Sequence, residues 1–381
     1  YNSNRKTTDP IATVEAQVKR ELNHVQVLRE KHQTELALKL INKVIEDAAK
    51  HELYSYWQMA LHLKQFIVYD SNADLETKNE VHRDALKQQL DAIEQQKQIV
   101  QLKVVATQSW EKLQQAGLSF NEQVEKELRE VLANPLPDDA YETLSVTARG
   151  IKLSIAATIH SRLGDKEKNL ELRKQEIDLM EKNIHFYPFR RRISLHVNLI
   201  AAYIQNGKVE EGNNAADKYF QIKCHSDFER QAHFGEGCGS IIPYLVSAGQ
   251  YDKAIEMAEE IKDFLENDGG FLDSLRQLNI YMAYISMYVV LGEYEKAIEW
   301  QALQLNVPWA PGIDDMRLTC YLFHLIAHYE LGNFALIESL CRSAQRKLGD
   351  KSFPTQTERI VTRFIQKAVS YTHLTLPTTK Q

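Results

Sequence analysis

Apolar residues recur every three or four positions along most of the chain, which is the spacing of one face of a helix. The first part carries three such series, at Val14, Val18, Leu22, Val25 and Leu28, at Leu36, Leu40, Val44 and Ile45, and from Tyr56 to Val68. Asp9 and Pro10 suit the N-cap and first position of the first helix. No stretch of alternating β-branched residues stands out, and 15 Gly with nine Pro are few for the turns of a β-rich fold. The pattern predicts an all-α protein.

Five glycines in the second part of the chain are separated by 43, 42, 43 and 40 residues. Each lies between two apolar helical runs; they are Gly164, Gly207, Gly249, Gly292 and Gly332. We expect a first helix to end near each glycine and a second helix to begin two or three residues beyond it. A fixed period of about 40–43 residues is typical of stacked helical hairpins. The sequence therefore predicts an α-solenoid of antiparallel hairpins, in which the three earlier series form hairpins without the glycine.

One segment, from about Asp74 to Gln115, interrupts this organisation. It holds no Gly or Pro, is rich in Gln, Lys, Glu and Asp, and predicts one long helix of about 40 residues. Its apolar positions, at mixed spacings of three, four and seven, are Leu86, Leu90, Ile93, Val100 and Val104. The helix either packs along the array or forms an oligomerising coiled coil. A shorter helix is expected at about 120–133, before the break at 135–137.

The chain is thus divided into four segments. Residues 1–70 are predicted to form degenerate N-terminal hairpins, 71–134 the long polar helix with the shorter one, and 138–368 the regular array. Residues 369–381 are Thr-rich, have no helical period and resemble translated adapter read-through at the end of an assembled sequence. Because the chain starts at Tyr1, we expect it to lack part of its N-terminus.

Two predicted corners are closely similar, Ala-Gly-Gln-Tyr-Asp-Lys-Ala-Ile at 248–255 and Leu-Gly-Glu-Tyr-Glu-Lys-Ala-Ile at 291–298. They resemble the turn of tetratricopeptide repeats, with Ala254 and Ala297 where a small residue lets two helices approach. The resemblance covers about 138–350 well and 10–70 loosely, although the period exceeds the 34 residues usual for these repeats and Gly212 replaces the alanine in one unit. The whole chain also resembles a group of uncharacterised bacterial tetratricopeptide-like proteins. That resemblance implies a helical array and transfers no activity.

Composition narrows the classes of partner and location. A formal net charge of −6 offers no overall electrostatic attraction for nucleic acid or an anionic membrane. No apolar run approaches the roughly 20 residues of a transmembrane helix. The four cysteines (Cys224, Cys238, Cys320 and Cys341) are scattered, which favours buried reduced thiols in a cytoplasmic protein.

Three groups of residues are candidates for chemistry. His324 and His328 are four residues apart on one predicted helix, a spacing that can share a metal, but Leu325 stands where a His-Glu-x-x-His motif has its glutamate. The alignment of His328 with the position four residues before each corner glycine favours core or half-buried histidine instead. Cys224, His225, His233 and Cys238 lie within fifteen residues but match no familiar zinc module. The basic run from Arg190 to Arg192 suits a solvated helix start with its side chains packed on neighbours, or else a site for an acidic partner or phosphate.

No nucleotide-binding glycine loop or nucleophile-elbow motif is present in the sequence. The 52 carboxylates at surface helical spacing give no reason to select a catalytic pair. We therefore expect a protein that is not an enzyme and uses no cofactor.

Stacked hairpins leave a groove lined by the first helix of each pair, at positions three, six and thirteen residues before each glycine. The polar members of this predicted groove are Thr158, Ser161, Ser194, Glu236, Asn279, Ser286, Thr319 and Tyr329. Such a surface suits an extended or helical peptide. The leading hypothesis is a non-enzymatic protein- or peptide-binding scaffold, with no nucleic-acid or membrane partner and with possible homo-oligomerisation through 74–115. The alternative is a peptide or ligand sensor whose N-terminal effector lies outside this sequence.

Overall fold

A computed structural model describes residues 10–116, 122–133, 144–267, 272–307, 314–348, 360–365 and 367. In these ranges the chain forms helices joined by short turns and contains no strand, so the prediction of an all-α protein is confirmed. The helices are α1 (Pro10–Glu30), α2 (Thr34–Lys50), α3 (Tyr54–Tyr69), α4 (Leu75–Ala116), α5 (Glu122–Ala133), α6 (Val146–Arg162), α7 (Lys166–Lys182), α8 (Phe189–Gln205), α9 (Val209–Phe220), α10 (Asp227–Ala232), α11 (Gly239–Ser247), α12 (Tyr251–Asn267), α13 (Ser274–Leu291), α14 (Tyr294–Leu305), α15 (Asp314–Glu330) and α16 (Phe334–Leu348). A 3₁₀ turn (Ile184–Phe186) precedes α8, a π-helical turn (His233–Cys238) joins α10 to α11, and 360–365 are helical. The predicted N-cap Asp9, the break at 135–137 and the tail 369–381 lie outside the described residues.

The chain divides into two compact units, one formed by Tyr1–Ser109 with Leu128–Arg192 and the other by Trp110–Glu127 with Ile193–Gln381. In the first unit, helices α1, α2 and α3 pack around a buried core that includes Val18, Val25 and Ile41. A neighbouring cluster joins α4 to the starts of α3 and α6, and a third cluster lies between α6 and α7. Each cluster uses one apolar face per helix, as the spacing in the sequence predicts.

The long helix predicted for about 74–115 is α4, and its expected extent is confirmed. Ala92, Ile99 and Leu102 of α4 are buried against Tyr54 and Ala148. One face of α4 therefore packs against α3 and α6.

The five predicted glycine corners share one backbone geometry. Each glycine is left-handed, with φ between 70° and 78°, and the second helix begins two residues later. The amide of the residue after the glycine donates to a carbonyl five residues back, as from Asp165 to His160 at 3.0 Å and from Glu293 to Tyr288 at 2.9 Å. This bond is the long-range closure of a Schellman motif, and it satisfies a carbonyl at the end of the first helix. The predicted corners are therefore confirmed as local structure.

Two earlier corners repeat the same geometry without glycine. His32 and Glu52 take φ values of 56° and 54°, and α2 and α3 begin two residues beyond them. The closing bonds run from Gln33 to the Leu28 carbonyl and from Leu53 to the Ala48 carbonyl, both at 2.9 Å. A non-glycine residue rarely adopts this conformation because its Cβ crowds the backbone. The segment predicted to form hairpins without the glycine thus contains two corners of the same local geometry.

Glu52 has a second role within its unit. Its carboxylate accepts hydrogen bonds from the backbone amides of Val146 at 2.6 Å and Thr147 at 3.1 Å, at the first turn of α6. Ser145 caps the same helix by accepting from the Ala148 amide at 3.2 Å. A carboxylate at this end of a helix satisfies unpaired amides and is favoured by the helix dipole.

In the second unit, consecutive helices pack as pairs, α11 with α12, α13 with α14, and α15 with α16. Helix α13 also contacts α11 and α15, the first helices of the neighbouring pairs. The small residues singled out from the sequence lie inside these pairs, since Ala254 is fully buried and Ala297 is 2% exposed. Gly212 serves the same purpose, because a Cβ there would lie 2.9 Å from Cγ1 of Ile204.

We expect replacement of Ala297 by leucine to lower the free energy of unfolding by about 1–3 kcal/mol, because the added carbons must displace packed neighbours. Urea titration followed by circular dichroism measures the change. Ala302→Leu is the matched control, since Ala302 is exposed on the same helix. Equal stability of the two variants would contradict the assignment of Ala297 to the contact between α13 and α14.

Candidate functional site

None of the eight predicted groove residues lines the open cavity that the described residues form between α12, α13 and α14. Thr158 accepts a hydrogen bond from Nη2 of the buried Arg173 at 3.1 Å, and the Ser286 hydroxyl donates to the Ala283 carbonyl at 2.9 Å. The ring of Tyr329 packs against Phe334 and Phe364. These three side chains make contacts inside the protein, and the assignment of the groove to a partner stays a prediction.

The remaining five positions are partly buried or lie outside the described side chains. Ser161, Ser194, Asn279 and Thr319 are half-buried on α6, α8, α13 and α15. Glu236 belongs to the π-helical turn, where its side chain is not among those described.

A different surface of the second unit forms an open cavity of about 530 Å³ between α12, α13 and α14. Its walls come from α12 and α14, the second helices of two successive pairs, and its floor comes from α13 together with Trp300 of α14. The lining residues are Glu259, Lys262, Leu265, Glu266, Tyr281, Tyr288, Lys296, Glu299, Trp300 and Leu303. We call this surface the aromatic cleft.

The floor of the aromatic cleft is a contiguous group of rings. The indole of Trp300 stacks on the buried Tyr284 at 4.1 Å between centroids and lies 5.8 Å from the ring of Tyr281. Tyr284 is anchored because its hydroxyl donates to the backbone carbonyl of Ala258. Tyr288 follows at 6.2 Å from Tyr284, and its hydroxyl also interacts with the Trp300 side chain. A floor held in this way offers fixed ring faces to a ligand.

The rings are desolvated enough to change their acid–base behaviour. Burial raises the pKa of both Tyr281 and Tyr288 above the ordinary value for tyrosine. Glu259 and Glu293 raise the pKa of Tyr288 further, whereas Lys296 opposes them. Both hydroxyls are therefore neutral at physiological pH and act as hydrogen-bonding groups.

The rim of the aromatic cleft is charged and exposed. The exposed lining residues include three carboxylates, Glu259, Glu266 and Glu299, and two ammonium groups, Lys262 and Lys296. The Lys296 ammonium pairs with Glu293 one turn away and lies 5.4 Å from the centroid of the Tyr288 ring. This pairing with Glu293 raises the pKa of Lys296. The Tyr288 ring of the cleft is therefore already in contact with one cation, the Lys296 ammonium of the same chain.

The sequence pattern did not predict this cleft. Tyr288 lies four residues before Gly292, a position that favours packing between the two helices of a hairpin, and its exposure of 7% agrees with that packing. The useful signal was the spacing of Tyr281, Tyr284 and Tyr288 on one face, together with Trp300 on the next helix. Alone, such a stripe is more typical of a core than of a site.

His324 and His328 form a hydrogen-bonded pair, with their Nε2 atoms 2.9 Å apart. The Asn333 amide nitrogen lies 3.1 Å from His328 Nδ1, and it can only donate. His328 then carries its proton on Nε2 and donates it to His324. Burial lowers the pKa of His324 to about 4, with the neighbouring His328 adding to the effect, and burial also lowers the pKa of His328.

The cysteine and histidine cluster is spread over several environments. His233 is buried and stacks on Tyr219 at 4.5 Å with an interplanar angle of 8°. Burial lowers the pKa of His233 to about 4 and raises that of the Cys224 thiol to about 11. The backbone amide of His225 donates to Glu229 at 2.6 Å, and the Cys238 side chain is outside the description. Across the described residues, no group of three or more His, Cys, Asp or Glu side chains is arranged to hold a metal ion.

The arginine run is occupied by contacts of the chain itself. Arg191 donates to the buried Glu176 at 3.3 Å, and Glu176 also pairs with Arg173 at 2.5 Å. The guanidinium of Arg192 lies 5.2 Å from the centroid of the buried Phe189 ring. These contacts agree with the interpretation of a helix start whose arginine side chains pack on neighbours.

None of the helices in the described parts of the chain is both long enough and apolar enough to span a membrane. The chain matches no protein-family model, and comparison with curated proteins finds no match.

Proposed function

We propose that this protein is a non-enzymatic, cytoplasmic peptide-binding scaffold built as a tetratricopeptide-like α-solenoid. The aromatic cleft is the observation that carries the proposal, because it combines fixed ring faces with a mixed-charge rim on an open surface. The repeated corner geometry and the contacts of α13 with both α11 and α15 support the stacked arrangement.

The cleft is suited to one or a few side chains of a peptide. Its volume of about 530 Å³ is in the range of pockets that enclose small ligands, and it is open to solvent along one side. Trp300 and Tyr281 offer apolar and cation-binding faces, while Glu259, Glu266 and Glu299 attract positive charge. We propose that the cleft accepts a lysine or arginine side chain, with the aliphatic part on the rings and the charge near a carboxylate.

The test is selection from a displayed random-peptide library with the full chain, followed by affinity measurement for the recovered peptides. We expect peptides with a required Lys or Arg. We further expect Glu299→Lys to weaken their binding about tenfold, equal to about 1.4 kcal/mol, because it removes an attraction and adds a repulsion. Glu295→Lys is the matched control, since Glu295 is exposed on the same helix but does not line the cleft.

A third protein, carrying Asn279→Arg with Ser286→Arg, distinguishes the cleft from the predicted groove. A peptide that loses affinity for this protein and binds Glu299→Lys normally would move the site to the groove. Selection that recovers no specific peptide would contradict the scaffold proposal itself.

A further inference from the structure

Helix α4 is apolar on two opposite faces. One face carries the residues buried in the first unit, among them Ala85, Ala92 and Leu102. At 100° per residue, the other apolar residues lie on the far side of the helix. We call these five residues the α4 stripe, and each is between 45% and 67% exposed: Leu86, Leu90, Ile93, Val100 and Val104.

The spacing within the α4 stripe is that of a coiled-coil seam. With Lys97 included, successive stripe positions are separated by four, three, four, three and four residues. That alternation keeps side chains along one line of a helix and repeats every seven residues. Since Lys97 is exposed as well, the seam is unfilled along its whole length among the described residues.

The series of stripe positions with Lys97 is symmetric about residue 95, so its spacing reads the same in both directions along the helix. When a second copy runs antiparallel and residue 95 of each copy is aligned, Leu86 lies opposite the partner's Val104 and Leu90 opposite the partner's Val100. Ile93 then lies opposite the partner's Lys97. Every apolar position outside the centre meets an apolar position of the other copy.

Charge decides between the two possible orientations. In a parallel pair each residue faces its own copy, so Lys97 would meet the partner's Lys97 in the seam, at a cost in electrostatic energy. In an antiparallel pair, Lys97 lies beside the partner's Glu94 instead. Within one chain the Lys97 ammonium already lies 3.1 Å from a Glu94 carboxylate oxygen, so four alternating charges would meet at the centre.

We propose that the occupant of the α4 stripe is a second copy of this chain, bound antiparallel through α4. The palindromic spacing and the central Lys97–Glu94 pairs specify both the orientation and the register. No residue of the α4 stripe lines the aromatic cleft.

Light scattering coupled to size-exclusion chromatography, run with the full chain over about a hundredfold range of concentration, tests the proposal. We expect a concentration-dependent dimer, and Leu90→Lys is expected to give a monomer with unchanged helicity because Leu90 is 67% exposed. Gln108→Lys, on the same helix beyond the end of the stripe, is the matched control and should remain a dimer. A monomer at every concentration, or a dimer that survives Leu90→Lys, would overturn the proposal.

Charge exchange tests the orientation. Lys97→Glu should raise the dissociation constant about tenfold because it places a second carboxylate beside the partner's Glu94. Adding Glu94→Lys to that variant should restore most of the affinity. In a parallel dimer Lys97→Glu would only replace one like-charged pair with another, so an unchanged dissociation constant would reject the antiparallel arrangement.

Discussion

Gly237→Ala is expected to lower the free energy of unfolding by about 3 kcal/mol, at the upper end of overpacking effects. The Cβ of an alanine at this position would lie only 1.5 Å from the Tyr219 hydroxyl oxygen. Tyr219 is fully buried, and its hydroxyl donates to the His233 carbonyl at 2.6 Å. The ring cannot move away without losing that hydrogen bond and its stacking on His233. Urea unfolding followed by circular dichroism measures the difference from the wild-type chain.

Gly249→Ala is the informative control for this result. An alanine at Gly249 would meet no atom within 4 Å of its Cβ, but it would have to adopt the left-handed φ of 71°. Backbone strain alone should cost about 1–2 kcal/mol. The double variant Gly237→Ala with Tyr219→Phe should be less unstable than the sum of the single variants, because removing the hydroxyl relieves part of the overlap. Additive effects would show that the tyrosine does not oppose the alanine.

The corners were predictable because they depend on local chemistry. A glycine between two apolar helical runs indicates a left-handed residue, and all five such glycines have this conformation. His32 and Glu52 adopt the same conformation without a sequence signal, because neither is a glycine. For Glu52, the hydrogen bonds to Val146 and Thr147 link residues 94 and 95 positions apart, which no local pattern reports.

The long helix shows where pattern alone stops being informative. Its length follows from the absence of Gly and Pro, and its observed bounds agree with the prediction. Apolar residues occur on both faces, so spacing cannot tell which face the rest of the protein covers. The structure separates the buried Ala92 and Leu102 from the exposed Leu90 and Val100, and only then does the unfilled seam become visible.

The aromatic cleft was hidden from the sequence because it combines residues from three helices. Tyr288 follows the general pattern of its position by packing in the hairpin, and Trp300 lies on the next helix. Whether such rings fill a core or line an open surface depends on how far α12 and α14 stand apart. The distance between helices is set by the sizes of many contacting side chains, which periodicity does not encode.

The burial of His328 could be predicted from the sequence, but its hydrogen bond to His324 could not. Alignment with the other corners favoured a packed or half-buried His328, and its exposure of 8% confirms this. The bond from His328 to His324 depends on side-chain orientation and on Asn333 across the corner.

Lowering the pH from about 7 to about 4 should remove several kcal/mol of stability from the second unit. The pKa of His324 is about 4 in the folded chain, against 6.5 for an ordinary histidine, and the pKa of His233 is also about 4. Below pH 6.5 the unfolded chain binds protons that the folded chain excludes, so stability falls as pH falls and levels off below pH 4. The two shifts correspond to about 3 kcal/mol each, at about 1.4 kcal/mol per pKa unit. The lowered pKa of His328 acts in the same direction.

Chemical denaturation at a series of pH values between 7 and 4 measures this slope. His324→Gln should flatten the dependence, because glutamine cannot take up a proton in the unfolded chain, and adding His233→Phe should flatten it further. His82→Gln is the control, since it removes an exposed histidine of α4 in the first unit. Carboxylate titration affects all of these proteins alike, so the difference between variants isolates the histidines. An unchanged slope in the double variant would mean that neither ring is held neutral by the fold, and that acid unfolding begins elsewhere in the chain.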